Sequence, residues 1–206
     1  AEVVSRSVAR MAVLVDDLLT YAREGAPVRE VSRVPLASVV DDTVAEFSAT
    51  AAARGLVLEG GASAAPDGRE PEVDGDRVAI RQATANLVAN AVRLAPEGST
   101  VRVAAGVEAP WAWIAVDDAG PGVPPEHREH VFERFWRGDR QRARAEGRSG
   151  LGLAIVRQIA ESHGGEARLM ANDRGGSTFT LWLPLAASSR HGPPTPARGT
   201  PATARP

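Results

Sequence analysis

Asn86-Leu87-Val88-Ala89-Asn90-Ala91 lies inside a strongly periodic stretch, 76–93, where Val78, Ile80, Ala83, Leu87 and Ala91 mark out a helix. Asn86 and Asn90 are four residues apart, so both side chains leave the same helical face. A carboxamide oxygen is a hard, neutral ligand of the kind Mg²⁺ takes alongside water and phosphate oxygens. Paired asparagines can equally cap a neighbouring loop, so the stretch gains its meaning from its surroundings.

Upstream of it, 28–34 reads as a strand and 35–53 as a helix with Leu36, Val39, Val40, Val44 and Phe47 inward. A second strand at 56–59 is followed by a Gly/Ala/Pro loop to about residue 72. Downstream, strands are expected near 100–107 and 111–117, separated by Glu108-Ala109-Pro110. The stretch 120–150 is rich in Gly, Pro and Arg, with one short helix around 125–135. A helix over 151–162 and strands near 166–170 and 177–183 complete the pattern. This order gives an α+β domain over 28–185, with helices on one face of a mostly antiparallel sheet, and not a doubly wound parallel sheet.

Two appendages flank that domain. In residues 1–24, Val4, Val8, Met11, Val15 and Leu18 form a heptad seam that a single helix cannot bury, so partner helices are expected. Gly25, Ala26 and Pro27 end this helix. Residues 186–206 carry five Pro and no acidic residue, a composition expected to stay disordered.

The composition excludes several chemistries. All 24 basic residues are Arg, and there is no Cys. Without Lys there is no P-loop, no Ser/Thr-kinase strand lysine and no Schiff-base catalysis. Without Cys there is no disulfide, thiol nucleophile or Cys-built zinc site. A net charge of −2 argues against a general nucleic-acid binder, and the apolar run 111–116 is far too short to span a bilayer.

Three further segments carry chemistry. Val116-Asp117-Asp118-Ala119-Gly120-Pro121-Gly122 takes a strand into a loop. An Asp at a strand end is a good acceptor for an exocyclic amino group, and glycines let backbone approach a planar ligand. Val131-Phe132-Glu133-Arg134-Phe135-Trp136-Arg137 places aromatic anchors ahead of 137–148, which holds five Arg and two acids. That run suits a cover over polyphosphate, though alone it would read as a solvated loop. Gly147-Arg148-Ser149-Gly150-Leu151-Gly152-Leu153 opens the helix at 151, where backbone N–H groups can receive phosphate.

These segments, in this order, resemble the catalytic ATP-binding domain of bacterial sensor histidine kinases. That family shares its Bergerat-type fold, a two-layer sandwich with helices on one face of a mixed sheet, with gyrase, mismatch-repair and heat-shock-chaperone ATPases. Gly175-Gly176-Ser177-Thr178-Phe179 matches the family's last glycine motif. The resemblance implies Mg²⁺ on Asn90, with Asn86 beside it toward the phosphates. It implies Asp118 on the adenine amino group, Gly120 and Gly122 lining the base pocket, and Arg93, Trp136 and Arg137 near the nucleotide. Ser149, Gly150, Leu151, Gly152 and Leu153 would wrap phosphates and ribose. Leu94 stands where the family often has an aromatic, which puts one stacking contact in doubt.

Water-activating relatives carry a Glu where this chain has Asn86, and a carboxamide cannot take a proton. The resemblance therefore favours phosphoryl transfer to a delivered His over hydrolysis. His127, His130, His163 and His191 lack the residues that mark the family's acceptor box and read as surface or capping groups. Residues 1–24 resemble the second helix of the dimerisation and phosphotransfer hairpin, so the acceptor is expected just upstream of Ala1, in a chain that is a fragment or a truncated paralogue. The implied partners are a second copy through that hairpin and a response regulator, with no nucleic acid and no direct membrane contact. The domain would be cytoplasmic, tethered to the membrane by upstream segments. The alternative is a regulatory ATP-binding module, similar to anti-sigma factors or degenerate kinases, that makes no phosphotransfer.

Overall fold

A computed structural model describes residues 31–66, 68–136 and 150–186. The helix expected over 1–24, residues 28–30 of the first strand, the arginine-rich run 137–148 and the tail beyond 186 lie outside the described residues.

Strand β1 (Ser32–Pro35) runs into helix α1 (Leu36–Ala52), with Pro35 at the N-cap and φ −70°, the value its ring imposes. Leu36, Val39 and Val40 are buried, and Val44 and Phe47 pack against the core, as their spacing predicts. Strand β2 (Val57–Ala62) continues past the expected end into Gly60-Gly61, because β4 (Thr100–Glu108) pairs with it in parallel over its whole length. Gly60 lies under α1, where a Cβ would come 2.8 Å from Val44.

Strand β3 (Glu72–Gly75) was not expected from the sequence, since four residues ending in Asp-Gly are too few to show an alternating pattern. It pairs antiparallel with β1, Ser32 opposite Gly75 and Pro35 opposite Glu72. A bridge between Val73 and Leu185 ties this ribbon to the end of the main sheet.

Helix α2 (Arg77–Leu94) is the central helix, packed on α1 and on α3 (Gly152–Ser162). Its start is fixed twice. The Asp76 carboxylate accepts from the N–H groups of Val78 at 2.8 Å and Ala79 at 3.1 Å. The Asp76 N–H donates to His163 Nε2 at 3.0 Å, while His163 Nδ1 lies 2.7 Å from Ile159 O. His163 thus joins the end of α3 to the start of α2, the capping role expected of it. Its ring fills the space beside Gly75, where a Cβ would meet Cδ2 at 2.6 Å. At the other end, Arg54 donates to Val92 O and Arg93 O, both at 3.0 Å, placing a cation on the helix C-terminus. Ile80, Ala83, Leu87 and Ala91 are buried as their period predicts, but Val78 is 71% exposed. Two residues from Ile80 is more than half a helical turn, which puts Val78 on the opposite face.

The main sheet has the order β2-β4-β5-β7-β6, with β5 at Trp111–Asp117, β6 at Glu166–Ala171 and β7 at Ser177–Pro184. Only the β2–β4 pair is parallel; the other three are antiparallel. Val101, Val103, Ala112, Ile114, Val116, Leu181 and Leu183 alternate onto one face and join the helices in a single core. Each large aliphatic side chain buried there contributes roughly 1.5–3 kcal/mol. The layering agrees with the expected α+β sandwich.

The expected helix around 125–135 is a correction. Only Pro125–His127 is helical, as one 3₁₀ turn. The residues that follow bond three apart, His130 N–H to His127 O at 3.0 Å and Glu133 N–H to His130 O at 2.8 Å. Val131 enters the core and Phe132 meets Phe179 edge-on at 6.2 Å, while Phe135 takes φ 59°, which no helix continues. Tight turns replace the α-helix because Val131, Phe132 and Trp136 are drawn to the core, whereas Phe135, expected as an anchor, is 65% exposed.

Deleting the Asp76 side chain leaves two N–H groups of α2 without their cap. Asp76→Ala is expected to lower unfolding stability by about 1 kcal/mol, measured by urea denaturation with an unchanged m-value.

Candidate functional site

Strand β5 ends in Asp117, on the sheet, and Asp118, just beyond it. Asp118 is 3% exposed. Its own N–H donates to Ser177 O at 3.0 Å, and its Oδ1 accepts from Gly120 N–H at 2.7 Å. Burial pushes the carboxyl above its ordinary range, against the pull of the Gly120 and Ser177 amides; the Asp117 charge adds to the rise and Arg174 opposes it. A carboxylate has about four lone-pair sites, so two amides leave capacity for a further donor. The sequence reading expects an exocyclic amino group in that place.

The glycines around Asp118 are set by close backbone approach. A Cβ on Gly120 would meet Asp118 Oδ1 at 2.7 Å and Leu94 O, at the end of α2, at 3.3 Å. Gly122 has φ 70° and lies against Gly175 O, 2.7 Å from where its Cβ would be. The Asp118 loop is therefore held between the end of α2 and the β6–β7 hairpin.

Asn86, Asn90 and Arg93 are half-buried along α2. Asn86 Nδ2 donates to Gly152 O at a long 3.4 Å, bringing this face against the first residue of α3. Arg93 donates from Nη2 to Asn90 Oδ1, so the oxygen expected to hold a metal faces a cation already. Among the described residues no cluster of His, Asp or Glu could hold a metal ion, and Asn90 is the metal-ligating position that the sequence reading offers. The start of α3 has Leu151 at its N-cap, which has no side-chain oxygen to cap the first turn, and no acidic residue there. The backbone N–H groups at Gly152 and Leu153 lie in the first turn of this helix, the end that favours an anion. Leu151 is 3% exposed, so its side chain belongs to the core.

Trp136 is half-buried against the core and stacks edge-on with His127 at 5.6 Å. Phe135 N–H donates to Gly150 O at 3.0 Å, so the residues flanking 137–149 meet. Gly150 has φ 72°, and a Cβ there would press on Phe135 and Trp136 backbone at 3.0 Å. Nearby, the Glu133 carboxylate bonds exposed His130 and raises its proton affinity. Arg137 and Ser149 lie outside the described residues.

The sequence reading missed Asn172. Asn172 bonds Asp117 and the Asp118 carbonyl, and Arg174 pairs with Asp117. The only signal was an Asn opening a Gly-Gly turn, a common turn feature.

Comparisons with known proteins follow the same lines. Residues 75–187 match the family described as histidine kinase-, DNA gyrase B-, and HSP90-like ATPase. The chain is 47% identical over 117 residues to the sensor-like histidine kinase SenX3 of Mycobacterium tuberculosis, covering 57% of this chain and 28% of that one. It is 36% identical over 177 residues to SenX3 of Mycolicibacterium smegmatis, covering 85% and 45%. The crystal structure of full-length ShkA in complex with AMPPNP aligns with 93% of this chain and 41% of its own, at 27% identity and a TM-score of 0.73. The chain thus spans less than half the length of these relatives. No described helix is long and apolar enough to cross a membrane.

Burial of the Asp118 charge has a thermodynamic sign. The folded carboxyl binds its proton more tightly than the unfolded one at 3.8, so folding is favoured at low pH and this contribution is lost as pH rises through the folded value. Asp118→Asn keeps an acceptor for Gly120 and removes the charge. Without nucleotide it is expected to melt higher than the native chain at pH 7, with the gap closing as pH falls toward 3.8. Thermal melts across pH check this.

Proposed function

Since the chain belongs to the family of histidine kinase-, DNA gyrase B- and HSP90-like ATPases, we propose that it is the catalytic part of a sensor histidine kinase. In this reading it holds Mg²⁺-ATP for transfer of the γ-phosphoryl group to a His on a dimerisation helix, for relay to a response-regulator Asp. The observation that carries the reading is Asp118, a buried carboxylate with acceptor capacity, held where the C-terminal end of α2, the loop at Gly120 and Gly122, and the last hairpin converge.

The roles follow from the residues. Asp118 accepts from the adenine amino group, and Gly120 and Gly122 give the flat base room. Asn90 would hold Mg²⁺ through its carboxamide oxygen, the atom Arg93 bonds in this structure, and Arg93 would offer its guanidinium to phosphate oxygens. Gly152 and Leu153 offer N–H groups at the start of α3. Mg²⁺-ATP supplies the transferable phosphoryl group and the charge neutralisation it needs. Asn86 stands beside Gly152 without a basic group, so the chain has no general base there for water. A neutral imidazole needs little such help, and positioning supplies most of the rate. Trp136, whose backbone lies against Gly150, adds to the enclosure in this reading, and Arg137 and Ser149 are assigned to the nucleotide by the family resemblance.

The relatives' names support a response regulator as the downstream partner. Pairing with a second copy through the 1–24 helix, and membrane tethering of the longer protein, belong to the same proposal.

The chain with a separate helical hairpin bearing the acceptor His, given Mg²⁺-ATP, is expected to yield acid-labile, base-stable phosphate on the hairpin. Asn90→Ala should abolish both this transfer and Mg²⁺-dependent nucleotide binding while the fold melts normally. Tight ATP binding with no transfer would make the chain a regulatory ATP-binding module. Rapid ATP turnover by the chain alone would make it a hydrolase.

A further inference from the structure

The geometry points to Asn172 as the positioning residue that sets adenine selectivity, by fixing where the Asp118 carboxylate stands. This rests on the reading of Asp118 as the adenine acceptor and adds to it a residue outside the expected site.

Asn172 follows β6, at the start of the hairpin turn to β7. Its carboxamide uses both ends. Nδ2 donates to the Asp118 carbonyl at 2.7 Å and to Asp117 Oδ1. Oδ1 accepts from the N–H groups of Gly176 at 2.9 Å and Arg174 at 3.1 Å. The backbone closes the same turn, Asn172 N–H to Gly176 O and Gly175 N–H to Asn172 O, both at 3.2 Å. Two donors and two acceptor sites are thus all engaged by one short side chain.

The partners of this amide are the elements that hold Asp118. Gly176 packs so closely on the Asp118 carbonyl that a Cβ would fall 2.0 Å from that oxygen. The next residue, Ser177, receives the Asp118 N–H. Asn172 therefore joins the Asp118 carbonyl to the backbone that anchors the Asp118 amide, leaving the carboxylate little freedom beyond its own bond to Gly120. Other residues do not reproduce this. Asp in its place would set a carboxylate against Asp117 and the Asp118 carbonyl, and Gln would be one methylene too long. The Arg174–Asp117 ion pair sits on the outer side of the same cluster, part-exposed, and is not needed for the amide bridge.

Base selectivity through one hydrogen bond depends on where its acceptor stands, and a loosened acceptor costs the base that uses it more than a base that does not. Guanine has no amino group at the position where adenine carries one, so the ATP-to-GTP preference reads the placement of Asp118 directly.

Dissociation constants for Mg²⁺-ATP and Mg²⁺-GTP are measured for the native chain, Asn172→Ala, Asn172→Ser, Arg174→Ala and Asp118→Asn, with thermal melts of each. Both Asn172 variants are expected to lose about tenfold in ATP-over-GTP preference, with GTP affinity kept, and Arg174→Ala to retain the preference. Asn172→Ser leaves a short acceptor for Gly176 and decides the matter if the alanine variant does not fold. Native-state hydrogen exchange adds a reading that needs no variant: ATP, and not GTP, should slow exchange at Gly176 and Gly120. Preference unchanged in the folded Asn172 variants but lost in Asp118→Asn overturns the role of Asn172 alone. Preference unchanged in Asp118→Asn as well overturns the adenine reading with it. Equal loss in Arg174→Ala, or equal slowing by both nucleotides, also overturns the proposal.

Discussion

A carboxylate that is 3% exposed survives at the end of β5 only because backbone amides and a side-chain amide hold everything around it. Removing a charge from water is costly, and the penalty shows in the raised proton affinity of Asp118. The fold meets that cost with geometry: the end of α2 closes one side of the loop, and the β6–β7 hairpin closes the other. The close glycine contacts at Gly120, Gly122 and Gly176 are consequences of the same packing. A buried carboxyl held in this way is a poor element of stability and a good element of recognition.

The absence of lysine looks at first like an obstacle to phosphate chemistry. The structure distributes positive potential without it. Arg93 lies on the same helix as the two asparagines and bonds Asn90, and α3 begins against Asn86 with backbone N–H groups and no cap. Arginine offers a fork of donors where lysine offers a point charge, which suits the oxygens of a polyphosphate. Arg54, just beyond α1, bonds the carbonyls of Val92 and Arg93 in the last turn of α2. Helix α2 is therefore fixed at both ends, and the side chains facing the site project from a rigid support.

Most of the architecture was legible because the core follows simple periods. Leu36, Val39 and Val40 on α1, Ile80, Leu87 and Ala91 on α2, and the alternation along β4, β5 and β7 all fall where spacing puts them. The failures have local causes. Strand β3 is too short to carry a pattern and exists because β1 pairs with it. Residues 125–135 have helical composition but are drawn into turns by Val131 and Phe132, whose contacts are distant in sequence. Val78 belonged to a run of apolar letters without belonging to its face. In the site, Asp118 and the asparagines drew notice only through the order of the motifs around them, since each motif alone reads as an ordinary turn or cap. Asn172 did not, because an Asn in a Gly-rich turn is ordinary until the fold sets it beside Asp118.

The central claim is that Asp118 recognises an adenine amino group. Isothermal titration of the native chain with Mg²⁺-ATP and with its 6-unsubstituted purine analogue tests it without altering the protein. The account predicts binding of the analogue weaker by about tenfold or more, with the loss carried by the missing donor. Equal affinity for the two nucleotides would contradict it.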